Sequence, residues 1–430
     1  MTASFPSLPR PRYRRSSPPL PPPLPATPAT ALIPMAGPAG AARDAHPPGT
    51  DRSPRRIASL DVIRGVAIIG TLASNIWLFV SFTGDRVIDI WWQSFLGWIP
   101  NGKFLGLLTI MFGIGLEIQR QATLRRGRPW PGTYPIRAGL LFLDGVLNYI
   151  FVVQFDVLRG YAIIGFLVAF VLLLPEKRQW VFIGAALTVH LTILTVGVFV
   201  PGGLMLPGIV LPGEFPMSDG APTYWQTVQQ NALTVFGDIT IGGDLGMIMT
   251  LGLAVFTLGA VLYRNGLFED RGTRLRKWLM VIGLGVGVPL EILAFVTDDP
   301  FAFGRYVTAP MVAFGVLALM ASFYRRHRIG FVGRRLSTVG RMALSCYVLQ
   351  NILGRVGQSV IGGSPLSSAV DPLIGTMAMF VAITVILVLF SEVWLRTFRR
   401  GPLEYVWDVS FRLLTRKRKQ MPRTPAEPHA

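Results

Sequence analysis

Residues 372–396 read Pro372-Leu-Ile-Gly-Thr-Met-Ala-Met-Phe-Val-Ala-Ile-Thr-Val-Ile-Leu-Val-Leu-Phe-Ser-Glu-Val-Trp-Leu-Arg396. A helix needs about 20 apolar residues to cross roughly 30 Å of hydrocarbon, and this run supplies them. Nine more runs of comparable length precede it, roughly at 57–80, 103–120, 136–153, 157–175, 179–200, 244–263, 277–296, 304–324 and 338–360. Within a bilayer the backbone must satisfy its own hydrogen bonds, so each run predicts a helix. The expected fold is an all-α integral membrane protein of about ten transmembrane helices, the third and fourth joined by a tight turn at Gln154 to Asp156.

Composition agrees. Hydrophobic residues make up 51% of the chain and charged residues only 15%, more apolar surface than a single soluble core of this length requires. The net charge of +18 raises nucleic-acid binding, but its charges fall in short clusters between apolar runs. A nucleic-acid domain gathers them on one face of a fold of its own. Cys346 is the single cysteine, which excludes an intrachain disulfide and a cysteine-based zinc site.

The distribution of Lys and Arg sets the expected orientation, because loops on the cytoplasmic side keep positive charge. With ten spans, 35 of the 41 fall on the side of the two termini. Five fall on the opposite side, Arg86, Lys103, Arg159, Arg305 and Arg355, and Arg64 lies inside the first span. Both termini are therefore expected in the cytoplasm, with the chain in the cytoplasmic (inner) membrane.

This gives five segments. Residues 1–56, rich in Pro, Ala, Ser and Arg, read as a disordered cytoplasmic tail; translation from Met1 or from Met35 fits equally. Residues 57–200 form an N-terminal membrane half of five helices, 201–243 an extracytoplasmic loop, 244–411 a C-terminal half of five helices, and 412–430 a basic tail. Between the first two spans Trp91, Phe95 and Trp98 recur at helical spacing beside Trp92, the pattern of an interfacial aromatic anchor. Within the long loop, Trp225, Val228, Ala232 and Val235 share one helical face and suit either the membrane surface or the cover of a cavity.

Ionisable groups inside spans are costly and mark interiors or cavities. Asp61 and Arg64, three residues apart, share a face at the start of the first span. Two readings fit. Arg64 holds an incoming phosphate or carboxylate with Asp61 orienting it, or Ser59 caps the helix, Asp61 meets its dipole and Arg64 snorkels. Asp144 and Asn148 share a face of the third span and His190 lies in the fifth; each serves either as chemistry or as interhelical packing. Lys103, Asp156 and Arg159 are expected to form a polar outer vestibule; Glu291 with Asp298 and Asp299 either belongs to the same surface or is merely solvated. Glu117 and Glu404 read as interfacial. The sequence contains no phosphate-cradling glycine loop with a lysine, no metal-ligand cluster and no serine elbow.

The opening Arg56-Ile-Ala-Ser-Leu-Asp-Val-Ile-Arg-Gly-Val-Ala-Ile-Ile-Gly70, followed by Asn75, resembles that of the YeiB-like bacterial membrane proteins (domain of unknown function 418). Further segments are similar in the same order. These are Gly102-Lys103-Phe104 with Met111 to Gly115, Phe155-Asp156-Val157-Leu158 with Tyr161-Ala162, Val339 to Leu344 with Tyr347 and Gln350, and Gly401 to Trp407. The resemblance runs from about residue 56 to 411. The Ser-Leu-Asp-x-x-Arg-Gly motif also resembles transmembrane acyltransferases of the heparan-alpha-glucosaminide N-acetyltransferase type. That likeness implies a cytoplasmic acyl-coenzyme A donor near Asp61, Arg64 and Asn75, and an envelope glycan or lipid acceptor. A general base would then be required beside the acceptor. YeiB-like proteins commonly show Gly-x-Leu-His in the third helix, where this chain has Gly145-Val146-Leu147-Asn148. Asparagine is no base, which leaves Asp144, one turn away, or His190. The alternatives are a carrier for a small or amphipathic solute, for which Gly283, Gly285, Gly287 and Pro289 in the seventh span supply the expected helix break, and a non-catalytic envelope component whose basic run Arg416 to Lys419 meets anionic lipid.

Overall fold

Long apolar segments have no water with which to satisfy their peptide groups, so they close their hydrogen bonds along helices. A computed structural model of the chain describes residues 54–79, 90–199, 223–237, 243–297 and 303–420. Every regular element among these residues is helical. The first half contains α1 (Pro54–Asn75), α2 (Ile90–Trp98), α3 (Lys103–Arg125), α4 (Tyr134–Phe151), α5 (Leu158–Val171), α6 (Glu176–Phe199) and α7 (Tyr224–Thr234). The second contains α8 (Asp244–Arg264), α9 (Thr273–Met280), α10 (Gly287–Val296), α11 (Ala309–Arg326), α12 (Phe331–Arg341), α13 (Ala343–Gly362), α14 (Leu366–Ala369), α15 (Pro372–Thr397) and α16 (Pro402–Gln420).

Among the described residues seven helical segments are long and apolar enough to cross a membrane: Ala58–Phe79, Trp91–Arg125, Glu176–Val196, Leu245–Arg264, Asp270–Val296, Gly304–Arg326 and Pro372–Thr397. The chain is an all-α membrane protein. The other three expected spans coincide with α4, α5 and α13. At the helical rise α5 extends only about 21 Å, less than the thickness of hydrocarbon. The turn between α4 and α5 is correspondingly buried, with Asp156 nearly inaccessible.

Four local departures from the sequence reading have physical causes. Helix α1 begins at Pro54, so Ser59 lies inside it and does not cap it. The ninth expected span is broken at Met342, whose backbone leaves the helical region. Helix α13 then starts afresh, with the Glu404 carboxylate accepting from Leu344 N at 2.9 Å and Ser345 N at 3.2 Å. The seventh span contains a π-helical turn, Val281–Val286, and another, Gly304–Thr308, precedes α11. Residues 402–420 form one helix, so the expected boundary at 411 falls within α16. The expected tail, up to Ser53, and most of the loop 201–243 lie outside the described residues.

The core centres on α1, α3, α5, α8 and α11, where Ile63, Ile110, Ile164, Val255 and Leu317 are buried together. Helix α3 runs antiparallel to α1, with Phe104 against Gly70 at one end and Arg64 near Gly115 at the other. The segments Asp270–Val296 and Pro372–Thr397 bury only 17% and 22% of their apolar windows, against 72% for Leu245–Arg264, which places them on the periphery. Helices α1 and α12 meet almost backbone to backbone. A side chain on Gly65 would fall 2.0 Å from Leu336 O, and one on Gly340 would fall 1.8 Å from Asp61 O, so only glycine permits this crossing.

Candidate functional site

The crossing of α1 and α12 fixes Asp61 and Arg64. The guanidinium donates to Asp61 Oδ1 at 3.3 Å, with the Arg64 side chain 33% exposed. Arg341 adds positive potential near Asp61. Asn75, grouped with these two by the resemblance, sits eleven residues on from Arg64 along α1, about 16 Å away at the helical rise. The fold does not bring it to them.

A second assembly surrounds the turn between α4 and α5. Asn148 Nδ2 donates to Asp156 Oδ1 at 2.9 Å, and the Arg159 backbone amide donates to Asp156 Oδ2 at 3.1 Å. Arg159 Nε lies 3.8 Å from the same oxygen, and its side chain is fully buried. The guanidinium also stacks 3.8 Å from the centre of the Tyr149 ring and donates to Val235 O. Gly145 makes this possible, because a side chain there would meet Arg159 N at 2.6 Å and Asp156 Oδ2 at 2.7 Å. Burial pushes the Asp156 carboxyl up to about 6, while the Arg159 amide, Asn148 and the Arg159 guanidinium pull the other way.

Helix α7 covers this assembly. Thr223 and Gln226 form a capping box at its start, and Asn231 Nδ2 donates to Tyr149 O at 3.2 Å and Ile150 O at 3.1 Å. Gln154 Nε2 reaches Asn231 Oδ1 at 2.6 Å. Val228 and Val235 of the expected apolar face are buried, whereas Trp225 is exposed. Asp156 and Arg159 therefore share one covered cluster and do not line an open vestibule with Lys103. Lys103 turns instead to Glu291 Oε2 at 2.6 Å, and Thr308 donates to Glu291 Oε1 at 2.7 Å. Glu291 is buried, and Asp298 and Asp299 lie outside the described residues.

His190 has both ring nitrogens engaged, Nδ1 with Thr250 Oγ1 at 2.9 Å and Nε2 with Tyr306 O at 3.2 Å. A cavity of about 20 Å³, the size of one water, is lined by Thr109, Arg305 and Tyr306 among others, and by none of Arg64, Asp144, Asn148 or His190. Glu117 is fully buried rather than interfacial. It accepts from Arg120 at 3.1 Å, Gln121 at 3.0 Å and Arg264 at 3.2 Å, joining α3 to α8. Glu404 is the cap of α13 described above.

Sequence reasoning assigned no chemistry to one face of α13. Tyr347, Gln350 and Asn351, at i, i+3 and i+4, are all buried. Tyr347 lies beside Asn351 and the Val157 backbone and within electrostatic reach of Asp156. Asp144, on α4, lies near Glu404. Tyr347 and Gln350 belong to the segment resembling the YeiB-like proteins, which is the signal that pointed to them; as uncharged residues in an apolar run they carry no other. No group of three or more His, Cys, Asp or Glu suited to a metal occurs among the described residues.

Residues 262–413, which include α13, match the family described as "Protein of unknown function (DUF418)". Over most of its length the chain is similar to three curated proteins. "Uncharacterized protein YxaH" of Bacillus subtilis (strain 168) is 25% identical, across 82% of this chain and 93% of that protein. "Uncharacterized protein YeiB" of Escherichia coli (strain K12) is 27% identical, across 82% and 95%. An "Uncharacterized 39.9 kDa protein in amylase 3'region" of Bacillus acidopullulyticus is 26% identical, across 85% and 95%. Tyr347 and Gln350 lie inside the region that matches the DUF418 family, and over most of its length this membrane protein is similar to YeiB.

Proposed function

We propose that the chain is an acyltransferase-like protein of the cytoplasmic (inner) membrane, with ten transmembrane helices and both termini in the cytoplasm. The orientation rests on the distribution of Lys and Arg. In that orientation Asp61 and Arg64 face the cytoplasm, and a reporter fused after Leu414 gives a cytoplasmic signal; an extracytoplasmic signal means an odd number of spans.

The observation that carries the functional reading is the hydrogen bond from Asn148 to the buried Asp156. Asn148 stands where YeiB-like proteins commonly have histidine, and a carboxylate that orients a base is already in place beside it. In this chain the base falls to Asp144, one turn away on the same helix, whose Oδ2 is buried without a hydrogen-bond partner. Arg64 holds phosphate groups of a cytoplasmic acyl-coenzyme A. An acceptor hydroxyl or amine of an envelope glycan or lipid attacks the thioester carbonyl; its C–O or C–N bond forms as the C–S bond breaks. The acceptor proton passes to Asp144 and then to the departing thiolate.

The test is acyl-coenzyme A binding to the full chain in nanodiscs. Saturable binding that Arg64→Ala abolishes and Asp144→Asn preserves supports a donor site at Arg64. A folded wild type that binds no acyl-coenzyme A overturns it and favours a carrier. A specific feature supports that second reading. The π-helical turns Val281–Val286 and Gly304–Thr308 flank the buried Lys103–Glu291 pair, and such interruptions accompany functional sites. Solute uptake by proteoliposomes distinguishes the two.

A further inference from the structure

Helices α4 and α13 present buried polar atoms to which the fold supplies no partner. Both amide atoms of Gln350, both amide atoms of Asn351, Asn148 Oδ1 and Asp144 Oδ2 lack hydrogen bonds, and the Tyr347 hydroxyl makes none of good geometry. Gln350 and Asn351 are completely inaccessible. Buried polar groups are nearly always paired, and an unpaired one is expensive. Several on one helix face are the mark of a site whose partner is a ligand rather than the chain itself.

The groups are contiguous. Tyr347 adjoins Asn351 and faces Asp156, Asp156 holds Asn148, and Asp144 follows one turn back along α4 towards Glu404. Their chemistry is selective. Two side-chain amides and a phenol each donate and accept, matching hydroxyl or amide groups that do the same. The Asp156 carboxylate lies within electrostatic reach of Tyr347, and that of Glu404 within reach of Asp144. Among the described residues Arg159 is committed to Asp156, Tyr149 and Val235 O, and Arg355, one turn beyond Asn351 on α13, donates to Gln358 at 2.9 Å, so an anion meets carboxylates and cations already engaged.

We propose that the face formed by Tyr347, Gln350 and Asn351, with Tyr347 beside Asp156, binds a polyhydroxylated group that is neutral or carries an amine, and discriminates against its anionic counterpart. As the acceptor pocket of an acyltransferase it rests on the reading above; as a binding site it stands apart from it.

The experiment uses the full chain in nanodiscs and three sugars of one shape and different charge: glucose, glucosamine and glucuronate. Thermal unfolding is followed by tryptophan fluorescence over rising sugar concentration. Glucose and glucosamine raise the melting temperature saturably and glucuronate does not. In Gln350→Leu the sugar-free melting temperature rises by about 1–3 °C, because an unpaired amide has been removed, and the sugar response disappears. Asn351→Leu behaves alike, and Gln350→Met serves if leucine prevents folding. Arg64→Ala keeps the full sugar response, so failure of the donor site and failure of this pocket are told apart. The proposal is overturned by a wild type that responds to neither neutral nor amino sugar, by an equal response to glucuronate, or by a response that survives Gln350→Leu.

Discussion

Asn148 Nδ2 donates to Asp156 Oδ1 at 2.9 Å, closing the turn between α4 and α5 from inside the protein. Asn148→Leu removes the donor and leaves a buried carboxylate oxygen short of a partner, at a cost of about 1–3 kcal/mol. Asn148→His restores a donor and supplies a base that Asp156 orients. Denaturant unfolding in detergent is expected to rank wild type and Asn148→His together above Asn148→Leu. If acyl transfer is the activity, Asn148→His also raises turnover, measured as thiol release from acyl-coenzyme A.

The same turn depends on Gly145, whose Cα approaches Arg159 and Asp156 too closely for a side chain. Gly145→Ala forces the turn outward and is expected to destabilise the protein by about 1–3 kcal/mol. Gly139, on the same helix with open space around it, is the control. There alanine stabilises by up to about 1 kcal/mol through helix propensity. Equal effects at the two positions would remove the argument that Gly145 exists to admit Asp156.

Protonation of Asp156 gives a pH dependence of defined sign. Its folded pKa of about 6 lies above the unfolded value of about 3.9. Between those values the folded state holds a proton that the unfolded chain does not, so lowering the pH from 7 towards 5 stabilises the fold at this group. The observable is the difference between wild type and Asp156→Asn in the change of melting temperature from pH 7 to 5. Wild type is expected to gain relative to the variant; a difference of zero or of opposite sign shows that Asp156 stays charged.

Much of the architecture was legible because a membrane imposes a length on its helices, as in the run from Pro372 to Trp394. The pairing of Asp61 with Arg64 was equally plain, since residues three apart on a helix must be neighbours. The break at Met342 was not, because the nearby Gly340 is explained by the close crossing with α1 and the new start of α13 is capped by the distant Glu404. Glu117 and Glu291 misled for a related reason. A carboxylate near a span end reads as interfacial, or as vestibular or solvated, until its partners, Arg264 and Lys103, arrive from elsewhere in the chain. Gln350 and Asn351 gave no signal of charge at all; beyond the resemblance that includes Gln350, it is their burial without partners that distinguishes them.

The ion pair of Lys103 with Glu291 joins the start of α3 to the peripheral helix α10 at 2.6 Å, with Thr308 as a second donor to the carboxylate. Removing Lys103 leaves the buried Glu291 with Thr308 alone, and removing Glu291 leaves the Lys103 charge with only Trp98, whose carbonyl oxygen lies at 2.9 Å. Glu291→Gln and Lys103→Met are each expected to cost about 3–5 kcal/mol, because an uncompensated charge stays buried. The double variant Lys103→Met, Glu291→Leu leaves no charge behind and recovers most of that loss, so the effects are strongly non-additive. A double-mutant cycle on unfolding free energy in detergent measures this coupling. Additive losses would mean that Lys103 reaches water when Glu291 is neutralised, and that the pair is a surface contact rather than a buried tie between α10 and the core.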